Sequence, residues 1–203
     1  TVRAMRSETT AVGATSRAAV PSAARSSSAA VAASVVRTTR TPCSSRIVAS
    51  AAVADNWVIG SGDDMLWHIP EDFRRFKKVT TGNTLIFGRR THEQIGLLPN
   101  RRIIVVTRDP GWSDDGVEVA HSLTEALDLA AQTPERVCYV GGGAQIYEAA
   151  WPYLTELDIT HVHQEPDGGA RFPVISPRDW TEVSREVRQG FDFTQYLPTP
   201  AAG

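Results

Sequence analysis

The sequence contains only two cysteines, Cys43 and Cys138, among 203 residues. That excludes a disulfide-stapled scaffold and a four-cysteine zinc site. No stretch approaches the roughly 20 consecutive apolar residues that cross a bilayer, so a membrane-spanning protein is excluded. A secretory signal fits poorly, because the apolar run over residues 29–36 consists mostly of small residues, contains Ser34 and is followed by Arg37 and Arg40. There is no Walker loop and no serine-centred elbow, and the five histidines lack metalloprotease spacing. His161 and His163 alternate on a strand and face opposite sides, so no metal site is expected. Aromatic residues are missing from residues 1–46, and acid is nearly so, with seven Arg against one Glu.

What is present divides the chain in two. In residues 1–46, Ala, Ser and Thr supply 27 positions. Such a stretch cannot bury enough apolar surface to offset the entropy of ordering it, so it reads as a disordered extension. Its Arg- and Ser-rich composition also matches a transit peptide. Without aromatics between the arginines there is no stacking platform, and no nucleic-acid partner is expected. Residues 47–203 reverse the charge, with 14 Lys and Arg against 22 Asp and Glu. This acidic remainder reads as one folded domain.

Within it, Ile47 to Ala54 predicts a buried strand, followed by a loop bearing Asn56, Gly60, Gly62 and Asp63. Pro70 opens a helix to about Val79, with Glu71 and Asp72 at the positive end of its dipole. Thr84 to Phe87 predicts a strand, and Arg89 to Ile95 a helix stopped by Gly96. Ile103 to Val106 is the next strand, and Ser122 and Glu125 form a capping box for a helix to about Gln132. Val137 to Val140 is a strand that runs through Gly141, Gly142 and Gly143 into a helix over Ala144 to Ala150. Further strands are expected near 156–162, 180–187 and 191–197, the last two as an antiparallel edge hairpin. Alternating strands and helices predict an α/β domain with a mostly parallel central sheet, an antiparallel C-terminal edge and flanking helices.

In such a sheet, ligands sit beyond the carboxyl ends of the strands. Three strand ends carry chemistry: Gly88-Arg89-Arg90-Thr91 at a helix start, Thr107-Arg108, and the triple glycine. Arginines in an otherwise acidic domain suit a multiply charged anion such as a ribose phosphate, and glycines let the backbone approach a pyrophosphate. The glycine run is not the Rossmann fingerprint, since Ile146 stands where the third glycine belongs. Together with the arginines it favours NADP over NAD. One carboxylate stands out. Asp72 shares a helix face with Phe76, four residues on, and Phe73 lies on the same apolar side. It is either a residue satisfying the free amides of the helix start or a buried anchor for a flat cationic heterocycle.

Eight segments, in order and near the expected spacing, resemble bacterial dihydrofolate reductase. They are Asn56–Gly60, Met65–Asp72, Phe87–Thr91, Leu98–Arg102, Val105–Arg108, Gly142–Tyr147, Thr160–Val162 and Phe172-Pro173. Residues 1–46 have no counterpart. The resemblance implies hydride transfer from NADPH to C6 of 7,8-dihydrofolate with protonation at N5, in a cytoplasmic monomer that antifolates inhibit. It makes Asp72 the pterin anchor, supported by Trp67 and Thr160, and puts Met65 on a mobile loop closing over the nicotinamide. Phe76 and Ile95 would flank the pterin and benzoyl rings, and Arg101 would clamp the glutamate carboxylate. Ser50 would offer its carbonyl to the pterin, and Ala52 would meet both ligands. For the cofactor it implies Ile59 and Gly60 at the nicotinamide. Gly88, Arg89, Arg90, Thr91, Thr107, Arg108 and His121 would surround the phosphates and adenosine, with Gly142, Gly143, Ala144, Gln145, Ile146 and Tyr147 forming the glycine turn and its helix. The family's cis peptide falls at Gly142–Gly143, or at Gly141–Gly142 in the neighbouring register. The chain departs from the pattern at four positions: His92 replaces an aromatic, Asn100 a glycine, Gly141 a branched residue and Gly169 an acid.

Two other functions share part of these features. The pyrimidine reductase of riboflavin synthesis would use the same cofactor half, but its substrate has no glutamate tail for Arg101. A non-catalytic NADP-binding regulator would have no need of Asp72, Phe76 and Thr160 together.

Overall fold

The computed structural model describes residues 46–61, 66–134 and 136–200. The expectations for residues 1–45, for Gly62 and Asp63, and for Met65 fall outside them. An eight-stranded sheet organises the rest. Its elements in chain order are β1 (Ile47–Ala54), β2 (Val58–Gly60), α1 (Pro70–Thr80), β3 (Thr84–Gly88), α2 (Arg89–Ile95), β4 (Arg102–Val106), β5 (Glu118–Ala120), α3 (Leu123–Ala130), β6 (Cys138–Val140), α4 (Ala144–Ala150), β7 (Glu156–Val162), β8 (Ala170–Arg171), β9 (Trp180–Val187) and β10 (Phe191–Pro198). Eight of these ten strands form the sheet, in the order β5-β4-β3-β6-β1-β7-β10-β9, and β2 and β8 pair separately. Neighbours are parallel from β5 to β7, and β10 runs antiparallel to both β7 and β9.

The central strands are apolar at almost every position because helices or loops cover both faces. The two-residue alternation of a strand then divides their side chains between two cores. Ile86, Ile104, Val140, Leu157 and Ile159 pack with Ala126 and Leu127 of α3 and Tyr147 of α4. Leu85, Phe87, Ile103 and Val105 point the other way, where Phe76 and Val79 of α1 cover them together with Leu98 and Trp112. This second packing presses α1 against the sheet and aims its first turn at the carboxyl ends of β1 and β7.

Four expectations are corrected. Val58 to Gly60 is a short strand rather than loop, paired antiparallel with Ala170–Arg171. Its partner lies 110 residues away in sequence, so no local pattern marks it. A side chain at Gly168 would come within 2.6 Å of the Gly60 carbonyl, which is how closely the two segments approach. The helix after Ser122 ends at Ala130 and closes in turns over 131–133, since Pro134 disfavours helical backbone at the preceding residue. In the capping box, Ser122 accepts from the Glu125 amide, but the Glu125 carboxylate accepts from His121 N–H rather than from Ser122. Arg46, counted by composition with the extension, already joins the folded part. Its guanidinium makes two 2.6 Å bonds to Glu156, and its carbonyl accepts from Cys138.

Candidate active site

A cleft of about 1870 Å³ opens along the carboxyl ends of β1, β3, β4 and β6. The chain reverses direction of travel across the sheet here. From β1 it crosses to β3, returns through β6, and then passes to β7 on the far side of β1. Such a switch point leaves a crevice between diverging connections.

One arm of the cleft is organised around Asp72. Its position in the first turn of α1 would suit a capping residue, but the helix start has no side-chain cap. Instead, Asp72 Oδ1 accepts a 2.5 Å hydrogen bond from the Thr160 hydroxyl on β7. Burial pushes the Asp72 carboxyl above its usual range, while the Thr160 bond and the nearby Arg75 charge work in the opposite direction. Trp67 and Phe76 line the same wall, and Phe73 sits at its mouth with its ring 5.1 Å from that of His68. Across the cleft stand Ser50 and Ala52 of β1. The Ser50 carbonyl accepts a 2.7 Å bond from the Tyr147 hydroxyl, which fixes the orientation of both. Burial raises the Tyr147 hydroxyl pKa, so it stays a donor.

The outer end of this arm holds Ile95, Leu98 and Arg101. Arg101 is held by Thr80 Oγ1 at 2.8 Å, the Pro99 carbonyl at 2.8 Å and the Lys77 carbonyl at 3.2 Å. A guanidinium carries five N–H groups. Three are committed, which leaves one on each terminal nitrogen. The preceding Asn100 has φ 62°, a left-handed conformation that asparagine tolerates in place of glycine.

The other arm is polar. Ile59 and Gly60 lie at its junction with the first, and Gly88, Arg89, Arg90, Thr91, Thr107, Arg108 and His121 line it with Gly142, Gly143, Ala144, Gln145, Ile146 and Tyr147. Arg90 and Arg108 are exposed, whereas Arg89 is engaged by Asp109 at 3.1 Å and Glu93 at 3.4 Å. The His121 ring is oriented by the Thr107 carbonyl at 3.1 Å. The cis peptide is Gly142–Gly143, which decides between the two registers. Gly88 donates to the Gly142 carbonyl at 2.7 Å, so the turns after β3 and β6 meet backbone to backbone. A side chain at Gly88 would crowd Ile146 at 3.1 Å and one at Gly143 would crowd Thr91 at 3.2 Å. This floor is narrow and glycine-lined, beside exposed cations. It suits the pyrophosphate and extra phosphate of NADPH.

Thus the cleft brings together every expected site residue except two. Thr160 lies behind Asp72 rather than on the lining, and Met65 is outside the described residues. Lining residues that sequence reasoning missed include Ile69, Lys77, Gln94 and Asp109. Lys77 carries a signal that could have found it, one turn beyond Phe73 and four residues before Thr81 at the helix end. Among the described residues, no group of three acids, histidines or cysteines could hold a metal.

Two of the remaining sequence departures have structural explanations, and Gly169 has none. His92 is buried, edge-on to Trp112 at 6.0 Å, and bonds Asp114 at 2.7 Å, so it keeps the packing role of an aromatic. Gly141 is bare because Phe87 fills its space, and a Cβ there would stand 2.2 Å from the Phe87 ring. Gly141→Ala is therefore expected to cost about 1–3 kcal/mol, measured by urea unfolding, with part of the loss restored by also shortening Phe87 to Leu. Equal loss in the single and double variants would show that the ring is not the obstacle. At Gly169 an added side chain would meet nothing within 4 Å.

Comparison with known proteins fits this geometry. The family model for dihydrofolate reductase matches residues 46–197. A dihydrofolate reductase of Neisseria meningitidis serogroup A is 42% identical over 160 residues, covering 75% of this chain and 98% of that protein. One from Bacillus subtilis is 42% identical over 136 residues, covering 66% of this chain and 80% of its own. Among solved structures, Enterococcus faecalis dihydrofolate reductase complexed with NADP(H) and the inhibitor RAB-propyl superposes with a TM-score of 0.70 at 32% identity. That match covers 77% of this chain and 98% of the other.

Proposed function

Because the chain belongs to the dihydrofolate reductase family, we propose that the residues of its cleft divide the work of reducing 7,8-dihydrofolate as follows. The protein is an NADPH-dependent oxidoreductase. When bound, NADPH supplies the hydride for C6. The observation that carries the assignment of roles is the Asp72–Thr160 hydrogen bond in the wall of the cleft. It fixes the carboxylate plane and leaves the second oxygen to accept from the substrate. Asp72 is the anchor for the pterin 2-amino group and N3, and its negative charge favours a proton at N5 on the same ring system. That proton comes from water, with Trp67 shielding the carboxylate.

Phe76 and Ile95 sandwich the ring system, and Ser50 and Ala52 close it from the β1 side. Arg101, with two free N–H groups, takes the glutamate carboxylate. Ile59 and Gly60 border the nicotinamide. Arg90, Arg108 and His121 hold the adenosine phosphates with Thr91 and Thr107, and Arg89 joins them by exchanging Asp109 for a phosphate oxygen. Gly88, Gly142 and Gly143 give the pyrophosphate backbone contact, flanked by Ala144, Gln145, Ile146 and Tyr147.

Residues 46–203 are the catalytic unit in this reading, and residues 1–45 an extension to it. We further infer a monomer acting in the cytoplasm. Two cysteines among 203 residues suit a reducing compartment. No helix among the described residues is long and apolar enough to cross a membrane.

The deciding experiment follows nicotinamide absorbance with both substrates, with and without methotrexate. Methotrexate-sensitive oxidation, faster with NADPH than NADH, is the expected result. Folded protein that oxidises nothing would point to the riboflavin pyrimidine as substrate or to a non-catalytic role.

A further inference from the structure

A second polar rung crosses from α1 to β7 beside the Thr160–Asp72 bond, and the proposed reaction does not use it. Arg75 lies three residues beyond Asp72 on the helix, and Asp158 lies two residues before Thr160 on the strand. Both spacings keep the pairs on shared faces. Arg75 Nη1 donates to Asp158 Oδ2 at 2.5 Å, and the two side chains are only 22% and 8% exposed. The guanidinium also lies 4.8 Å from the centre of the Phe193 ring on β10. Phe193 is the register partner of Thr160.

A buried ion pair of this kind adds little stability over apolar residues of the same size, because desolvation offsets the attraction. Asp158 Oδ1 is buried with no hydrogen-bond partner, so the pair is incompletely satisfied even as it stands. Its consequence lies in charge. Two carboxylates and one guanidinium share this pocket, and their sum is a single negative charge. With Asp158 neutralised by Arg75, that charge belongs to Asp72.

We propose that Arg75 and Asp158 are positioning residues which, by pairing behind Asp72, fix both the tilt of the first turn of α1 and the charge state of the pterin-anchoring carboxylate. The idea rests on the Asp72 assignment above. The direction of each influence agrees with it, since Arg75 favours ionised Asp72 and Asp158 opposes it. Other groups facing this cluster are few. Tyr147 approaches from α4 and Tyr139 from β6. Glu186 acts on Arg75 from β9. Glu71 is taken by Arg188, whose guanidinium lies 5.7 Å from the centre of the Phe193 ring. Among the described residues, only Arg75 and Asp158 are both charged and shielded beside Asp72.

The test is a ¹³C-aspartate NMR titration of the full chain with bound NADP, with the Asp72 signal identified by its loss in Asp72→Asn. Arg75→Met removes the cation and should raise the Asp72 midpoint by about one pH unit or more. Asp158→Asn frees Arg75 to act on Asp72 alone and should lower it. Arg75→Lys, which keeps the charge, should stay close to the parent. The pH profile of kcat should move with each midpoint, while the KM for NADPH stays constant. A merely structural tether would shift both single variants the same way or not at all, and either result overturns the proposal. If Arg75→Met fails to fold, the downward shift in Asp158→Asn remains decisive. The two readings fail separately. Unmoved midpoints in an active, methotrexate-sensitive enzyme would refute the charge coupling, whereas an inactive parent with the expected midpoints would refute the substrate.

Discussion

Replacing Asp72 with Asn should lower turnover at neutral pH by roughly 10²–10⁴-fold, the usual contribution of a group that supports proton transfer. Asparagine keeps an oxygen to accept from Thr160, so the first turn of α1 and the cleft wall should persist. What disappears is the negative charge that favours the N5 proton and pairs with the pterin amidine. NADPH binding, on the other arm of the cleft, should be nearly unchanged, which fluorescence titration would check. A large loss of cofactor affinity together with turnover would mean that Asp72 holds the whole cleft in shape rather than the pterin.

The same substitution should raise thermal stability, and the sign follows from burial. Desolvation lifts the folded-state pKa of Asp72 above its ordinary carboxylate value. A group shifted upward binds its proton more tightly in the folded state. Its favourable contribution is complete below the unfolded pKa and is lost as pH rises through the folded one. At neutral pH the parent therefore carries a buried anion that opposes folding, and Asn removes it. The gain in Tm should be present at pH 7 and should vanish in acid, where Asp72 is already protonated. An activity site that weakens its own fold is a common trade.

Arg101→Ala should raise the KM for dihydrofolate by roughly 30–150-fold, the equivalent of about 2–3 kcal/mol for charge-assisted hydrogen bonds. Three acceptors orient the guanidinium before any ligand arrives, so little entropy is lost when a carboxylate meets its two remaining N–H groups. Because this contact is made equally in the ground state and in the transition state, kcat should change little. Comparing substrates with and without the glutamate tail isolates the effect. If a tail-less dihydropterin suffered the same rise in KM, Arg101 would be acting through Thr80 and the end of α1 instead.

Much of the molecule could be read before folding, for identifiable reasons. Strands such as Thr84–Gly88 and Arg102–Val106 are short, apolar, β-branched runs that read as buried strands, and Gly96 ends α2 where it stands. The arginines after β3 and β4 and the glycines after β6 announced an anionic ligand, because parallel sheets present strand ends to ligands. Those are local or periodic facts. The short strands β2 and β8 were invisible, since each exists only by pairing with the other across 110 residues.

Asp72 marks the boundary between the two kinds of knowledge. Its place in the chain suited a helix-capping residue as well as a ligand anchor, and family resemblance favoured the second. Only the packing of α1 on β7 commits its carboxylate to Thr160, because that bond needs a helix turn and a strand brought together from 88 residues apart. The Arg75–Asp158 pair, the Phe87 ring beneath Gly141 and the register of the cis peptide were decided in the same way. Sequence determined which elements form and what class of ligand they face, since periodicity, turn chemistry and charge are properties of neighbours along the chain. Tertiary structure decided which polar groups are partnered and which are left for a substrate, because burial and hydrogen bonding depend on residues that meet only in space.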